Sequence, residues 1–267
     1  MNTHSVSASN HDLLNYVLRQ GDTPLILAQR LCEWCGHAPE LEIDLALSNI
    51  GLDLLGQARH FLSYAATIMP GANSHPGPEK KPDEDYLAFH RDEREFLNLL
   101  LVEQPNGGFN DTLVRQFFID VYHVLLHQAL GQSRDSQLAA ISAKSLKEVE
   151  YHLRFSRGWM IRLGDGTEQS HKKIQHSINQ LWRFTGELFH CDDIEQRLAE
   201  EGIAVDPRTL HEPWLDIVTE TLAEATLEIP AELPYRQGGK QGLHTEHLGY
   251  MLAEMQSLQR AYPNCNW

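Results

Sequence analysis

Apolar residues recur at helical spacing over residues 40–69, and this pattern constrains the fold more than any other feature of the chain. One face carries Ile43, Leu47, Ile50, Leu54, Ala58 and Phe61, and a neighbouring face carries Leu45, Leu52, Leu55 and Leu62. Spacings of three and four residues are typical of an α-helix. A helix that is apolar on two faces is buried within a bundle or in an interface.

Chain breakers divide the rest of the sequence into further helical segments. We predict long helices over 84–103, 109–131, 134–164 and 167–190, and shorter helices near 192–202, 207–228 and 244–261. Loops are predicted over 70–82 and 230–242, and residues 21–24 interrupt or kink the first helical segment. Asp83 is predicted to cap the helix that follows it. Because short turns join long helices, we expect antiparallel neighbours in an all-α bundle with extra peripheral helices.

The chain is acidic, with a formal net charge of -15 from 22 basic and 37 acidic residues. This charge argues against a nucleic-acid binder, which needs a basic face. Residues 1–12 lack the basic and apolar regions of a signal peptide, and the longest apolar runs are too short to span a bilayer. We therefore expect a cytoplasmic protein without nucleic-acid or membrane partners. We expect a single domain over 1–267, with a flexible tail over 1–11.

Four cysteines are present, and Cys32 and Cys35 form a C-x-x-C pair. Such a pair is compatible with a redox site or with half of a metal site. It lies within a helical pattern, and no second C-x-x-C completes a metal site. We therefore predict two buried thiols.

Three of the long helices carry a polar stripe beside the apolar one. The stripes consist of Asn49, Asp53, Gln57 and His60 on 40–69, of Gln116, Asp120, His123 and His127 on 109–131, and of Lys144, Glu148 and His152 on 134–164. Side chains spaced by three or four residues lie on one face of a helix. If these faces point inward, the polar groups bind one another or a ligand, because an unpaired buried group costs about 1–3 kcal/mol.

Two of the stripes are built like the metal-binding helices of a di-iron protein, but each lacks a carboxylate. A ferritin-like di-iron site takes a Glu from each of two helices and a Glu-x-x-His pair from each of two others. Here Gln57 precedes His60 by three residues, and Val149 precedes His152 by three residues. Neither Gln57 nor Val149 supplies the negative charge that two irons require.

The remaining ligand types in this remnant di-iron site are His60, Asp120, His123, Glu148 and His152. Even with Glu33 or Asp53 added, few carboxylates are available to balance the charge of two irons. We predict that hydrogen bonds and ion pairs fill the site and that it holds no metal. A functional di-iron site and a single zinc-like metal are the alternatives.

Two complete Glu-x-x-His pairs, Glu168 with His171 and Glu187 with His190, lie on one predicted helix. The length of helix between them keeps them from facing each other across one metal pair. We predict a structural or surface role for both pairs.

Two cations, Arg236 and Lys240, lie in the glycine-rich loop 230–242. They are the best local candidates for contacts with phosphate groups, although a solvated loop is the simpler interpretation. The sequence has no Gly-x-Ser-x-Gly elbow, and no Cys–His pairing follows from spacing. We therefore predict no catalytic residues in this chain.

Long uninterrupted strings make the sequence similar to a known family. They are LCEWCGHAPELEIDLALSNIGLDLLGQARHFLSYAA, RDEREFLNLLLVEQPNGGFNDT, QLAAISAKSLKEVEYHLRFSRGW, EEGIAVDPRTL and GGKQGLHTEHLGYMLAEMQ. With these strings, nearly the whole chain, from about residue 13 to 267, resembles the PaaC family. Members of this family are the structural subunits of bacterial ring-1,2-phenylacetyl-CoA epoxidases.

The resemblance implies a ferritin-like bundle with no catalytic role and no cofactor of its own. It implies a main partner, a PaaA-type catalytic subunit of similar fold that carries the di-iron centre and the substrate pocket. It also implies a PaaB-type small subunit and a PaaE-type reductase with flavin (FAD) and an iron–sulfur cluster, which passes electrons from NADPH. The complex is expected to epoxidise phenylacetyl-CoA with O2 in aerobic phenylacetate breakdown.

Two hypotheses follow for how the chain takes part in such a complex. The first two long helices are apolar on two faces and are predicted to form the partner interface. Arg236 or Lys240 is predicted to help hold the coenzyme A phosphates at the subunit boundary. Two interpretations from other classes stay open: a self-sufficient di-iron carboxylate oxidase, and a homo-oligomeric ferritin-like structural protein.

Overall fold

The computed structural model of this chain describes residues 3–69, 82–231, 234–262 and 265. Within them the chain is helical and has no β-strand. The α-helices are α1 (Thr3–Glu33), α2 (Leu41–Ile68), α3 (Glu84–Phe89), α4 (Phe109–Leu130), α5 (Ser136–Gly164), α6 (Glu168–Leu181), α7 (Asp193–Glu200), α8 (His211–Glu224), α9 (Glu246–Met255) and α10 (Ser257–Ala261). Short 3-10 helices cover Glu93–Glu95, Trp182–Phe189, Pro207–Leu210 and Gly239–Gln241.

Four long helices form the bundle. α1 packs along α2, α4 packs along α5, and α2 also contacts α5. α6 and α8 cover α4 and α5, while α7 contacts α1. No helix in the described residues is both long enough and apolar enough to cross a bilayer. The predicted all-α bundle with peripheral helices is confirmed.

Side-chain caps fix where several helices begin. Asp83 accepts a hydrogen bond from the Tyr86 N–H, so the predicted cap of α3 is confirmed. Asp135 accepts from the backbone N–H groups of Gln137 and Leu138 at the start of α5. Such caps satisfy N–H groups that have no partner inside the first turn of a helix.

The predicted helix over 84–103 is wrong beyond Phe89. Buried side chains take the backbone donors that a helix would have used: the Leu97 N–H donates to Asp22 over 2.9 Å, and the Leu100 N–H donates to Glu187 over 2.6 Å. Asp22 and Glu187 are both almost fully buried. Because a buried carboxylate must find donors, these tertiary bonds outweigh the local helical pattern.

Other boundaries differ from the sequence-based expectations at the ends of helices. α1 begins at Thr3 and runs through Pro24, so residues 21–24 do not interrupt it. Residues 3–11 belong to α1, and the flexible tail expected over 1–11 stays a prediction. The predicted helix over 167–190 continues as a 3-10 helix after Leu181, and the predicted loop over 70–82 lies almost entirely outside the described residues.

Cys32 and Cys35, predicted as buried thiols, are both exposed. α1 ends at Glu33, so its last turn and the turn after it lie at the rim of the bundle. Trp34, between the two cysteines, is the residue that turns inward. The helical pattern was correct here, but it did not show that the helix stops inside the motif.

Glu187 joins three segments of the fold. Its substitution therefore tests how much these polar contacts stabilise the protein. Its carboxylate accepts N–H groups from Leu100, Gly238 and Gly239 at 2.6, 2.8 and 2.8 Å. In Glu187→Gln an amide nitrogen replaces one acceptor oxygen, so we expect the free energy of unfolding in urea to fall by about 2 kcal/mol.

The matched control is Glu168→Gln, whose side chain is 83% exposed and pairs only with Lys172. A surface change of this kind is expected to stay within about 0.5 kcal/mol. Equal effects of the two substitutions on the urea midpoint would show that Glu187 does not hold these segments together.

Candidate functional site

The polar stripes of α2 and α5 face each other and pair side chain by side chain. Their pairs are Asp53 Oδ2 with His152 Nε2 at 3.0 Å, Gln57 Nε2 with Glu148 Oε2 at 2.9 Å, and His60 Nε2 with Lys144 Nζ at 2.8 Å. The order along α5 is reversed relative to α2, as antiparallel neighbours require. We call these three pairs the polar ladder.

The ladder is closed toward the core and open toward one side. Gln57 and His152 are buried, whereas the side chain of Asp53 is 41% exposed. Burial, with the nearby charge of Lys144, lowers the pKa of His60. The neutral His60 ring therefore accepts a hydrogen bond from the Lys144 ammonium. Each ladder group thus has a partner within the chain.

Asp120, on α4, supplies the carboxyl at the centre of the bundle. Gln116 Nε2 donates to its Oδ1 over 2.7 Å, and Ser156 Oγ donates to its Oδ2 over 2.8 Å. Asp120 is completely buried, and burial raises its pKa to about 8. Gln116 Oε1 has no hydrogen-bond partner within the described residues. Burial thus favours the neutral form of the Asp120 side chain, while the hydrogen bonds from Ser156 and Gln116 favour the carboxylate.

Two buried histidines of α4 are uncharged. Burial is the main cause that lowers the pKa of His123 and brings that of His127 to about 4. Their ring centroids are 5.7 Å apart, and Phe61 stacks on His127 at 6.1 Å. The Nδ1 atoms of both rings have no hydrogen-bond partner within the described residues. These two rings therefore add polar atoms but no charge to the middle of the bundle.

The residues present do not fit a pair of irons. Val149 is fully buried and fills its place with methyl groups, while Asp53 and Glu148 are bound to ladder partners. Glu33 pairs with Arg30 over 2.8 Å. No group of three or more His, Cys, Asp or Glu side chains in the described part of the chain converges as a metal site. The metal content of the protein stays a prediction, which the donor chemistry supports.

The structure separates the two predicted anion contacts. Lys240 is buried, and its ammonium donates to the His190 carbonyl over 2.7 Å and to Glu195 over 2.9 Å. The expectation of a free Lys240 in a solvated loop is wrong, because the loop folds inward beside Glu187. Arg236 is exposed, and its role as an anion contact stays a prediction.

The two complete Glu-x-x-His pairs do not form a metal site with each other. Glu168 pairs with Lys172 on the surface, and His171 bonds the Gly164 carbonyl over 2.8 Å. Glu187 binds backbone N–H groups, as described above. Ser156 is the residue of the centre that the sequence analysis missed. It follows His152 by one helical turn, which was the available signal.

The second apolar face of α2 reaches the surface. Leu41, Leu45, Leu52 and Leu55 are 68%, 55%, 63% and 45% exposed, and we call them the leucine stripe. Beside Leu55, a groove of 380 Å³ between α2 and α3 has mostly apolar walls, including Leu62 and Phe89. Exposed apolar patches of this kind mark interaction sites.

Comparisons with known proteins place the chain in a family. The family model described as phenylacetic acid catabolic protein matches residues 1–267. One subunit of the 1,2-phenylacetyl-CoA epoxidase of Escherichia coli (strain K12), designated C, is 63% identical to this chain over 257 residues. The aligned region covers 96% of this chain and 100% of that protein.

The buried acid at the centre predicts a pH dependence of stability. Burial raises the pKa of Asp120 to about 8 in the folded protein, whereas its pKa in the unfolded chain is about 3.9. The contribution of Asp120 to the free energy of unfolding is therefore fully present below about pH 3.9 and is lost as the pH rises toward 8. Asp120→Asn stays neutral at every pH. From pH 5 to pH 8 we expect wild type to lose on the order of 3 kcal/mol of unfolding free energy relative to this variant.

Urea unfolding at the two pH values measures this difference. Asp216→Asn, at an exposed position on α8, is the matched control and should follow wild type. If the unfolding free energies of wild type and Asp120→Asn changed equally between pH 5 and pH 8, the Asp120 carboxyl would be ionised over that whole range.

Proposed function

The chain belongs to the phenylacetic acid catabolic protein family, and on that premise we propose that it is a non-catalytic structural subunit of a 1,2-phenylacetyl-CoA epoxidase. The observation that carries this proposal is that the carboxyl groups at the centre of the bundle are bound to partners within the chain. Two irons in a bundle need several anionic ligands, and here the acid is protonated or bound to partners. In this proposal the bundle keeps the shape of an oxygenase subunit but lacks the carboxylates at Gln57 and Val149.

The partner in this proposal is a PaaA-type catalytic subunit, which carries the di-iron centre and the substrate pocket. The leucine stripe gives it a place to bind, because four leucines on one helix face expose apolar surface that a subunit interface removes from water. The fitting occupant is an apolar helix face of the catalytic bundle. Of the two long helices predicted as interface candidates, α2 is the one that presents such a face.

A non-catalytic bundle would support the metal-binding helices of its catalytic partner. A metal site requires ligands held by a rigid surrounding shell. A second bundle that packs against the catalytic one supplies part of that shell. The polar ladder supports this interface indirectly. Its three pairs hold α2 against α5 and so keep the leucine stripe in position for the partner.

The remaining components of the proposal lie outside this chain. A PaaB-type small subunit and a PaaE-type reductase with FAD and an iron–sulfur cluster would pass electrons from NADPH to the catalytic subunit, which uses O2 to epoxidise the ring of phenylacetyl-CoA. The complex would work in the cytoplasm. The acidic charge of -15 favours protein partners over nucleic acid.

The leucine stripe predicts the result of an association experiment. In Leu45→Asp with Leu52→Asp, two carboxylates enter the proposed interface without partners, while both positions are exposed in the isolated chain. We expect the chain to fold normally and the Kd for the catalytic subunit to rise at least about 100-fold, a cost of about 2.8 kcal/mol. Co-purification and light scattering measure both properties.

The matched control is Leu258→Asp, which changes an exposed leucine of α10 and should leave the Kd unchanged. Undiminished binding by the double variant would remove the leucine stripe as the interface. A different outcome would favour the homo-oligomeric structural protein. In that outcome wild type forms a homo-oligomer and does not bind a catalytic subunit, and the double variant is a monomer.

Arg236 provides a separate prediction about substrate. Its exposed guanidinium lies beside the 3-10 turn Gly239–Gln241, and we propose that it contacts the phosphates of coenzyme A at the subunit boundary. In the assembled complex, Arg236→Ala should raise the Kd for phenylacetyl-CoA about tenfold, equivalent to about 1.4 kcal/mol. Arg208→Ala, a surface arginine paired with Asp206, is the control. An unchanged Kd for Arg236→Ala would remove this contact and leave the structural role intact.

A further inference from the structure

The end of α1 brings two exposed cysteines onto one turn. The Cys35 N–H donates to the Cys32 carbonyl over 3.1 Å, which closes a tight turn between them. Residues three apart on a helical turn have Cβ atoms about 5–6 Å apart. A disulfide needs a Cβ separation of about 3.5–4.5 Å, so a small tightening of this turn brings the two sulfurs within bonding distance.

Contacts with the core and with α2 anchor the turn that carries the two exposed cysteines. Trp34, between them, is buried and anchors the turn in the core. Asp44, in the first turn of α2, accepts the Gly36 N–H over 2.8 Å and lies 3.8 Å from the Cys35 sulfur. Both cysteines are free and exposed. The turn therefore lies at the rim of the bundle, where both cysteines are exposed to small oxidants.

We propose that Cys32 and Cys35 form a site of reversible oxidation, at which hydrogen peroxide converts the two thiols into an intrachain disulfide. The oxidant belongs to the class of hydroperoxides, whose O–O bond is attacked by an exposed thiolate, and a second thiol nearby then completes the disulfide. This site is independent of the leucine stripe and of the polar ladder. It does not require the proposed epoxidase role.

The reaction proceeds in two balanced steps. The Cys35 thiolate attacks one oxygen of hydrogen peroxide, the S–O bond forms, the O–O bond breaks, and hydroxide leaves and takes up a proton as water. The Cys32 thiolate then attacks the Cys35 sulfur, the S–S bond forms, the S–O bond breaks, and a second water leaves. Two thiols and one peroxide give one disulfide and two waters.

The order of the two cysteines follows from their environments. Burial, together with Cys35 and Glu33, raises the pKa of the Cys32 thiol, and we assign the first attack to Cys35, which lies beyond the end of α1. Cys32 lies one turn before Cys35, so in the second step its thiolate is close to the Cys35 sulfur that it attacks. Cys35 is therefore the residue that carries the sulfenic acid.

Mass spectrometry of the full chain, alone and bound to its catalytic partner, tests the site. The reduced chain has four cysteines that iodoacetamide can modify under denaturing conditions. After peroxide we expect Cys32 and Cys35 to lose this reactivity together, with a mass loss of two hydrogens that dithiothreitol reverses. Cys32→Ser should trap a sulfenic acid on Cys35 that reacts with dimedone, and Cys35→Ser should abolish the disulfide.

The control variant Cys191→Ser with Cys265→Ser keeps both thiols of the motif and should form the disulfide as wild type does. The proposal is overturned if peroxide leaves Cys32 and Cys35 open to alkylation, if it converts either to a sulfinic acid without a disulfide, or if it joins them to another cysteine. Each of these products has a distinct mass in the peptide map.

Discussion

The burial of the Asp120 carboxyl is the constraint on which the centre of this protein depends. A carboxyl without solvent contact is neutral or paired with a cation, and the groups that face Asp120 are an amide and a hydroxyl. Burial favours the neutral form, and the same burial keeps His123 and His127 neutral. In a bundle centre built in this way the carboxyl groups are bound to partners within the chain, and few anionic groups are left to hold two irons.

Buried carboxylates elsewhere determine how the rest of the chain wraps the bundle. Asp22 and Glu187 bind backbone N–H groups of residues 97–100, and Glu187 also binds the turn at Gly238 and Gly239. Glu195 holds the Lys240 ammonium against α7. These contacts replace a predicted helix by a folded segment on the bundle. They leave the outer face of α2 uncovered, and this is the face that we assign to the partner.

Helical periodicity was sufficient to predict α2, α4 and α5, because their apolar positions recur over many turns and tertiary contacts agree with them. The missing carboxylates at Gln57 and Val149 were also visible in the sequence, since residue identity alone shows them. The segment 96–103 was missed because its structure depends on Asp22 and Glu187, which are distant along the chain. Lys240 and the exposed cysteines were missed for a similar reason: local pattern does not show which way a turn faces.

The most direct test of the account is the iron content of this chain, purified alone and purified with its catalytic partner from the same cells, by elemental analysis. A chain whose central carboxyl groups are bound to partners within the chain is predicted to carry no iron alone, with iron present only in the complex. About two irons per isolated chain, as in a complete di-iron bundle, would contradict the account and make the polar ladder and Asp120 a working metal site.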